Sequence, residues 1–88
     1  MGSYSLNFKK SVEKDCRKIP KEIIQSIFEH CEKLALDPVP HESYKLAGAE
    51  NLYRIRIGEY RIIYQVLHDS REVTVMFVRH RSVAYRGL

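Results

Sequence analysis

The sequence predicts an α+β fold in the order β-α-α-β-β-β, with two N-terminal helices packed on one face of a mostly antiparallel four-stranded sheet. Three observations predict it. Apolar residues recur at helical spacing through the first thirty-five positions. Three runs rich in Ile, Val and Tyr follow between residues 52 and 80. With 88 residues there is room for one modest core, so residues 1–88 are expected to form a single domain.

Each element has its own signal. "YSLNF", residues 4–8, alternates apolar and polar positions and reads as the first strand. Phe8, Val12, Cys16 and Ile19 then recur at helical spacing, with charged residues between them. Pro20 ends that segment and suits the first turn of a second helix. Ile23, Ile24, Ile27, Phe28, Cys31, Leu34 and Ala35 form the second helix's apolar stripe. "DPVPHES", residues 37–43, is a loop by composition. Strands are expected at 52–57, 60–67 and 72–80, and a short tail, "SVAYRGL", closes the chain. No repeat, low-complexity tract or linker interrupts this order.

Composition excludes several classes. Apolar content is 44%, ordinary for a globular chain, and no run approaches the ~20 apolar residues of a membrane span. No charged-then-apolar leader opens the sequence, so no secretory signal is expected. Met1-Gly2-Ser3 resembles an N-myristoylation start, but Leu6 stands where Ser or Thr is needed, and a cloning scar explains Gly2-Ser3 equally well. Cys16 and Cys31 lie on apolar stripes and form no CxxC, which points to reduced, structural thiols. His30, His41, His68 and His80 show no ligand spacing with them, so neither a metal site nor a cofactor is expected.

Charge is unevenly placed. Residues 1–44 hold seven basic and seven acidic side chains, whereas residues 45–88 hold eight basic and four acidic, which accounts for the net +4. The base type also changes, from six lysines and one arginine to seven arginines and Lys45. Arginine's planar fork binds phosphate and stacks on bases, so the second half points to nucleic acid or an acidic partner.

The stretch "LYRIRIGEYRIIYQV", residues 52–66, sharpens this. Gly58-Glu59 fits a two-residue hairpin loop with glycine first, as a type II′ turn prefers. That register sets Ile57 opposite Tyr60, Ile55 opposite Ile62 and Tyr53 opposite Tyr64, an apolar face for the helices. The same register sets Arg56 opposite Arg61 on the other face, with Arg54 beside Ile63. Like charges directly opposite are destabilising by a few tenths to ~1 kcal/mol. Such local conflicts concentrate at functional sites, and a polyanion arriving at this face would turn repulsion into attraction. The tail "VRHRSVAYR" adds Arg79, His80, Arg81, Tyr85 and Arg86, bringing donors, a titratable ring and a stacking surface.

With "YKLAG" before the hairpin, "LYRIRIGEYRIIYQV" and the closing "VRHRSVAY", the chain resembles the RelE/ParE superfamily of type II toxin–antitoxin toxins, on its RelE-like branch. The resemblance covers nearly the whole chain. It implies a cytoplasmic toxin held in a hetero-oligomeric complex by an antitoxin encoded beside it. It further implies metal-independent cleavage of mRNA in the ribosomal A site, and so inhibition of translation. The family's basic pair on its second strand corresponds to Arg54 and Arg56, its next arginine to Arg61, its terminal arginine to Arg79 or Arg81, and its terminal tyrosine to Tyr85. Some members carry lysines where Arg54 and Arg56 stand here, which leaves the general base open, because arginine effectively cannot give up its proton.

Cleavage of this kind is attack of a ribose 2′-OH on the adjacent phosphate. Arg54, Arg56 and Arg61 fit stabilisation of the extra charge. Lys45, Arg54 and Arg86 are candidates for RNA binding. His80, with an ordinary pKa of ~6.5, is the best-matched proton carrier by titration alone. Tyr85, near ~10 in isolation, either has that value lowered by neighbouring arginines or stacks on a base. Two alternatives stand beside this one: a ParE-like toxin that inhibits DNA gyrase by binding, and a non-catalytic module that binds nucleic acid or only its antitoxin.

Overall fold

The computed structural model describes residues 3–86. Its elements run β1 (Ser5–Phe8), α1 (Lys10–Cys16), α2 (Lys21–Leu34), β2 (Tyr44–Lys45), β3 (Leu52–Ile57), β4 (Tyr60–Leu67) and β5 (Glu72–His80). The residues bearing on N-myristoylation, Met1 and Gly2, and the end of the tail, Gly87 and Leu88, lie outside the described residues.

The class is α+β, as the pattern predicts, but the sheet has five strands in the order β1-β5-β4-β3-β2. β1 runs parallel to β5 and every other pairing is antiparallel. The unexpected strand is β2. Two residues are too few to show alternation, and they follow a proline-containing loop, so nothing local marks them as a strand. Tertiary contacts fix them instead. The buried Tyr64 hydroxyl donates to the Pro38 carbonyl at 2.8 Å, which pins the preceding loop. The Leu46 N–H donates to the Leu52 carbonyl at 2.9 Å. The turn between β2 and β3 uses left-handed backbone at Gly48 and Asn51.

α1 begins two residues later than Phe8, because Phe8 pairs with Val75 as the last residue of β1. No side chain caps α1, so a helix this short depends on burial of Val12 against the sheet. Pro20 stands at the N-cap of α2, where its missing N–H costs nothing and its carbonyl accepts from Ile23 and Ile24. Ile27, Cys31 and Leu34 recur on one face of α2 and are almost wholly buried. With Val12 and Ile19 they pack on Ile55, Ile62, Tyr64, Val66, Val73, Val75 and Val78 from the sheet, forming the core. Both cysteines are free thiols. Burial, with smaller effects from Cys16 and Glu32, pushes the Cys31 thiol up to about 12, so it carries no thiolate near neutrality.

The β3–β4 hairpin has the expected register, with Ile57 opposite Tyr60, Ile55 opposite Ile62 and Tyr53 opposite Tyr64. Gly58 has φ +56° and Glu59 does not share that sign, the φ pattern of a type II′ rather than a type I′ turn. The β4–β5 ladder carries an irregularity. Ile63 pairs with Phe77 and Tyr64 with Val75, leaving Met76 as an extra residue on β5. Ser11 Oγ donates to the carbonyl of Met76 at 3.3 Å. Beyond the bulge, the Val78 N–H donates to the Asp15 carboxylate at 3.1 Å, which satisfies the edge that β1 leaves uncovered.

Candidate nucleic-acid interface

Strand alternation assigns every residue of the sheet to a face. Tyr53, Ile55, Ile57, Tyr60, Ile62, Tyr64 and Val66 face the helices. The intervening residues form the opposite face, and the register orders them into two rows. In the first, Arg56 lies directly opposite Arg61, and Arg61 directly opposite Arg79. In the second, Tyr44 lies opposite Arg54, Arg54 opposite Ile63, and Ile63 opposite Phe77. The rows are two residues apart along each strand, about 7 Å. A cationic row therefore runs beside an aromatic and aliphatic one.

Each arginine is held differently. Arg54 is 8% exposed, and its Nη1 is buried without a hydrogen-bond partner. Its guanidinium lies 4.6 Å from the centroid of the Tyr44 ring. Arg56 is exposed. Arg61 folds back over the hairpin, donating through Nη1 to the carbonyls of Gly58 (3.1 Å) and Tyr60 (3.0 Å). Arg79 stacks on Phe77 at 3.9 Å and donates through Nη1 to the Arg86 carbonyl at 2.7 Å. The Lys9 ammonium also approaches Phe77, at 5.7 Å. Among the described residues the ion pairs are Arg17 with Glu13 and Arg81 with Glu59. No carboxylate thus offsets the Arg56–Arg61–Arg79 row, whose like-charge neighbours cost stability. The centre of this face is also less open than a solvated polar surface would be: Ile63 is fully buried there.

The remaining candidates lie elsewhere. Arg81 is outside β5, and its Nε meets the Glu59 carboxylate at 2.7 Å beside the hairpin turn. His80, the best proton carrier by titration alone, pairs with Tyr60 and so sits on the helix side of the sheet. The two rings meet edge-on at 5.6 Å. The Ser82 N–H donates to His80 Nδ1 at 3.2 Å and Ser82 Oγ lies 2.9 Å from it, which places the neutral ring's proton on Nε2. Lys45 pairs with Tyr53, putting it too on the helix side. Tyr85 is 48% exposed, next to the Arg86 whose carbonyl Arg79 engages, so the tail is tied to the end of the arginine row. Hairpin alternation pointed to Arg54, Arg56 and Arg61. It missed Tyr44, Ile63 and Phe77, because the first belongs to an unrecognised strand and the other two look like core residues in the sequence.

The comparisons agree with this architecture. The family model described as "ParE toxin of type II toxin-antitoxin system, parDE" matches residues 6–85. A Methanocaldococcus jannaschii protein with the provisional name toxin RelE1 is 31% identical over 87 residues, covering 96% of this chain and 97% of that protein. The crystal structure of the archaeal RelE–RelB complex from Pyrococcus horikoshii OT3 is similar with a TM-score of 0.81 and 31% identity, covering 93% of this chain and 99% of that one. The isolated E. coli RelE toxin is similar at 0.77 and 25% identity, over 97% and 88% of the two chains. The family description says ParE, whereas these three relatives bear RelE names. With nearly its whole length matched and archaeal RelE toxins among its relatives, the chain belongs to the ParE/RelE family and is a RelE-like toxin of a type II toxin–antitoxin system.

Proposed function

We propose that this toxin is a ribosome-dependent, metal-independent endoribonuclease that cleaves mRNA in the A site and so stops translation in the cytoplasm. The observation that carries the proposal is the Arg56–Arg61–Arg79 row, set beside an apolar row that holds Arg54. Phosphates fit the first row and unstacked bases the second, the combination that single-stranded RNA demands. The 2′-oxygen bonds to phosphorus and the 5′-oxygen leaves, giving a 2′,3′-cyclic phosphate and a 5′-hydroxyl. Arg56, Arg61 and Arg79 stabilise the charge that builds on the phosphate oxygens. Arg61 and Arg79 now donate to backbone carbonyls, and they exchange those weaker acceptors for phosphate. Tyr85, on the tail beside Arg79, takes the proton role in preference to His80, which lies across the sheet with Nδ1 already engaged. The ribosome supplies mRNA positioning, a large share of the barrier reduction.

RelE proteins similar to this one are found in complexes with RelB antitoxins. By the same logic, an acidic or amphipathic antitoxin segment neutralises this toxin by covering the Arg54/Arg56/Arg61/Tyr85 region or displacing its tail. Primer extension on a translated message after brief expression tests the nuclease reading, with Arg61→Ala as the control. Codon-phased cuts with the natural sequence, absent with Arg61→Ala, support it. DNA damage without cuts would instead favour gyrase inhibition.

A further inference from the structure

Tyr44 has no part in the mechanism above, yet the fold gives it a particular place. Its pairing with Arg54 puts it on the arginine face, at the open edge of the sheet, where β2 has no further strand beside it. One face of the ring covers the Arg54 guanidinium at 4.6 Å, while the side chain as a whole stays exposed, at 61%. Beneath it, Arg54 keeps a buried Nη1 with no acceptor. A core built for stability alone pairs such a donor or replaces it, because an unmet buried charge is costly. The arrangement makes sense if both groups await the same ligand. The guanidinium then lacks an anionic acceptor, and the ring lacks a partner on its outer face.

We propose that Tyr44 is a positioning residue and base platform. Its inner face fixes the Arg54 guanidinium, and its outer face stacks the nucleobase next to the phosphate at which cleavage occurs. The inference rests on the ribonuclease reading of this face and adds to it. Stacking accepts any base, so Tyr44 contributes affinity and alignment rather than codon choice. Its hydroxyl takes no part, and the π surface is what matters.

The test compares Tyr44→Phe, Tyr44→Leu and Tyr44→Ala in single-turnover cleavage of mRNA on ribosomes with a vacant A site. Arg61→Ala serves as the nuclease control. In a parallel arm, 5-iodouridine is placed in the A-site codon for photocrosslinking. Tyr44→Phe is expected to stay within about twofold of the natural protein, since it keeps the ring. Tyr44→Leu and Tyr44→Ala should both lose roughly tenfold to a hundredfold in kcat/KM, the range that one lost base stack implies. The crosslink should map to residue 44 in the natural protein and in Tyr44→Phe. Leucine preserves an apolar cover at similar exposure, so the Phe-against-Leu comparison holds even if Tyr44→Ala folds poorly. Leucine as active as phenylalanine would reduce Tyr44 to a structural cover and overturn the inference. So would undiminished cleavage by Tyr44→Ala, or a crosslink only elsewhere. Each of these leaves the nuclease reading intact. Absence of cleavage by the natural protein, no different from Arg61→Ala, overturns that reading and this inference with it.

Discussion

Replacing Arg54 with methionine should make the protein more stable and inactive at once. Arg54 is 8% exposed and its Nη1 is unpartnered. Leaving a charged donor unmet in the interior costs about 1–3 kcal/mol. The cation–π contact with Tyr44 at 4.6 Å returns about 0.5–2 kcal/mol. Methionine keeps an unbranched stem beside the cross-strand neighbour Ile63 and removes both terms. The difference centres near 1 kcal/mol in favour of Arg54→Met, and for a chain of this size that raises Tm by about 4–8 °C. Thermal denaturation followed by circular dichroism measures it. Toxicity and message cleavage, assayed on the same variant, should vanish. A Tm lowered by more than about 4 °C would show that the guanidinium is a structural anchor. Cleavage at the natural rate would show that the buried cation takes no part in the chemistry. Either result refutes the view that Arg54 is held against stability for the sake of a ligand.

Two further predictions concern the proton and the core. Tyr85→Phe should lose message cleavage almost as completely as Tyr85→Ala if the hydroxyl carries a proton, whereas His80→Gln should keep it, and quantified primer extension distinguishes them. Alkaline stability should follow the buried groups. Cys31 and Tyr64 move from ordinary values of 9.0 and 10.0 to about 12, chiefly through burial. The unfolded chain therefore releases these protons first, so stability is full below about pH 9 and is lost as pH rises toward 12. Each titrating group removes up to about 1.4 kcal/mol per pH unit. The urea midpoint should fall steeply between pH 9 and 11.5, and less so in Cys31→Ala. An unchanged midpoint would contradict the burial of both groups.

The sequence by itself determined the class, the two helices, the hairpin and three of the four arginines on its second face. Those features rest on local physics. Ile27, Cys31 and Leu34 fall on one side of a helix by periodicity alone. Gly58 fixes a two-residue turn, and a turn of known length fixes which residues face each other. β2 was decided by contacts distant in sequence, because two residues carry no period of their own. The bulge at Met76 decided more. Plain alternation through β5 would set Phe77 and Arg79 on the same face as Val73 and Val75, toward the helices. One extra residue reverses the phase, so Val78 completes the core, His80 follows it to the helix side, and Phe77 and Arg79 join the arginine face. The choice between Arg79 and Arg81 as the arginine of that face is thus a matter of register across two strands. Register depends on where the whole chain can bury Val73, Val75 and Val78 together, and no stretch of sequence read alone contains that condition.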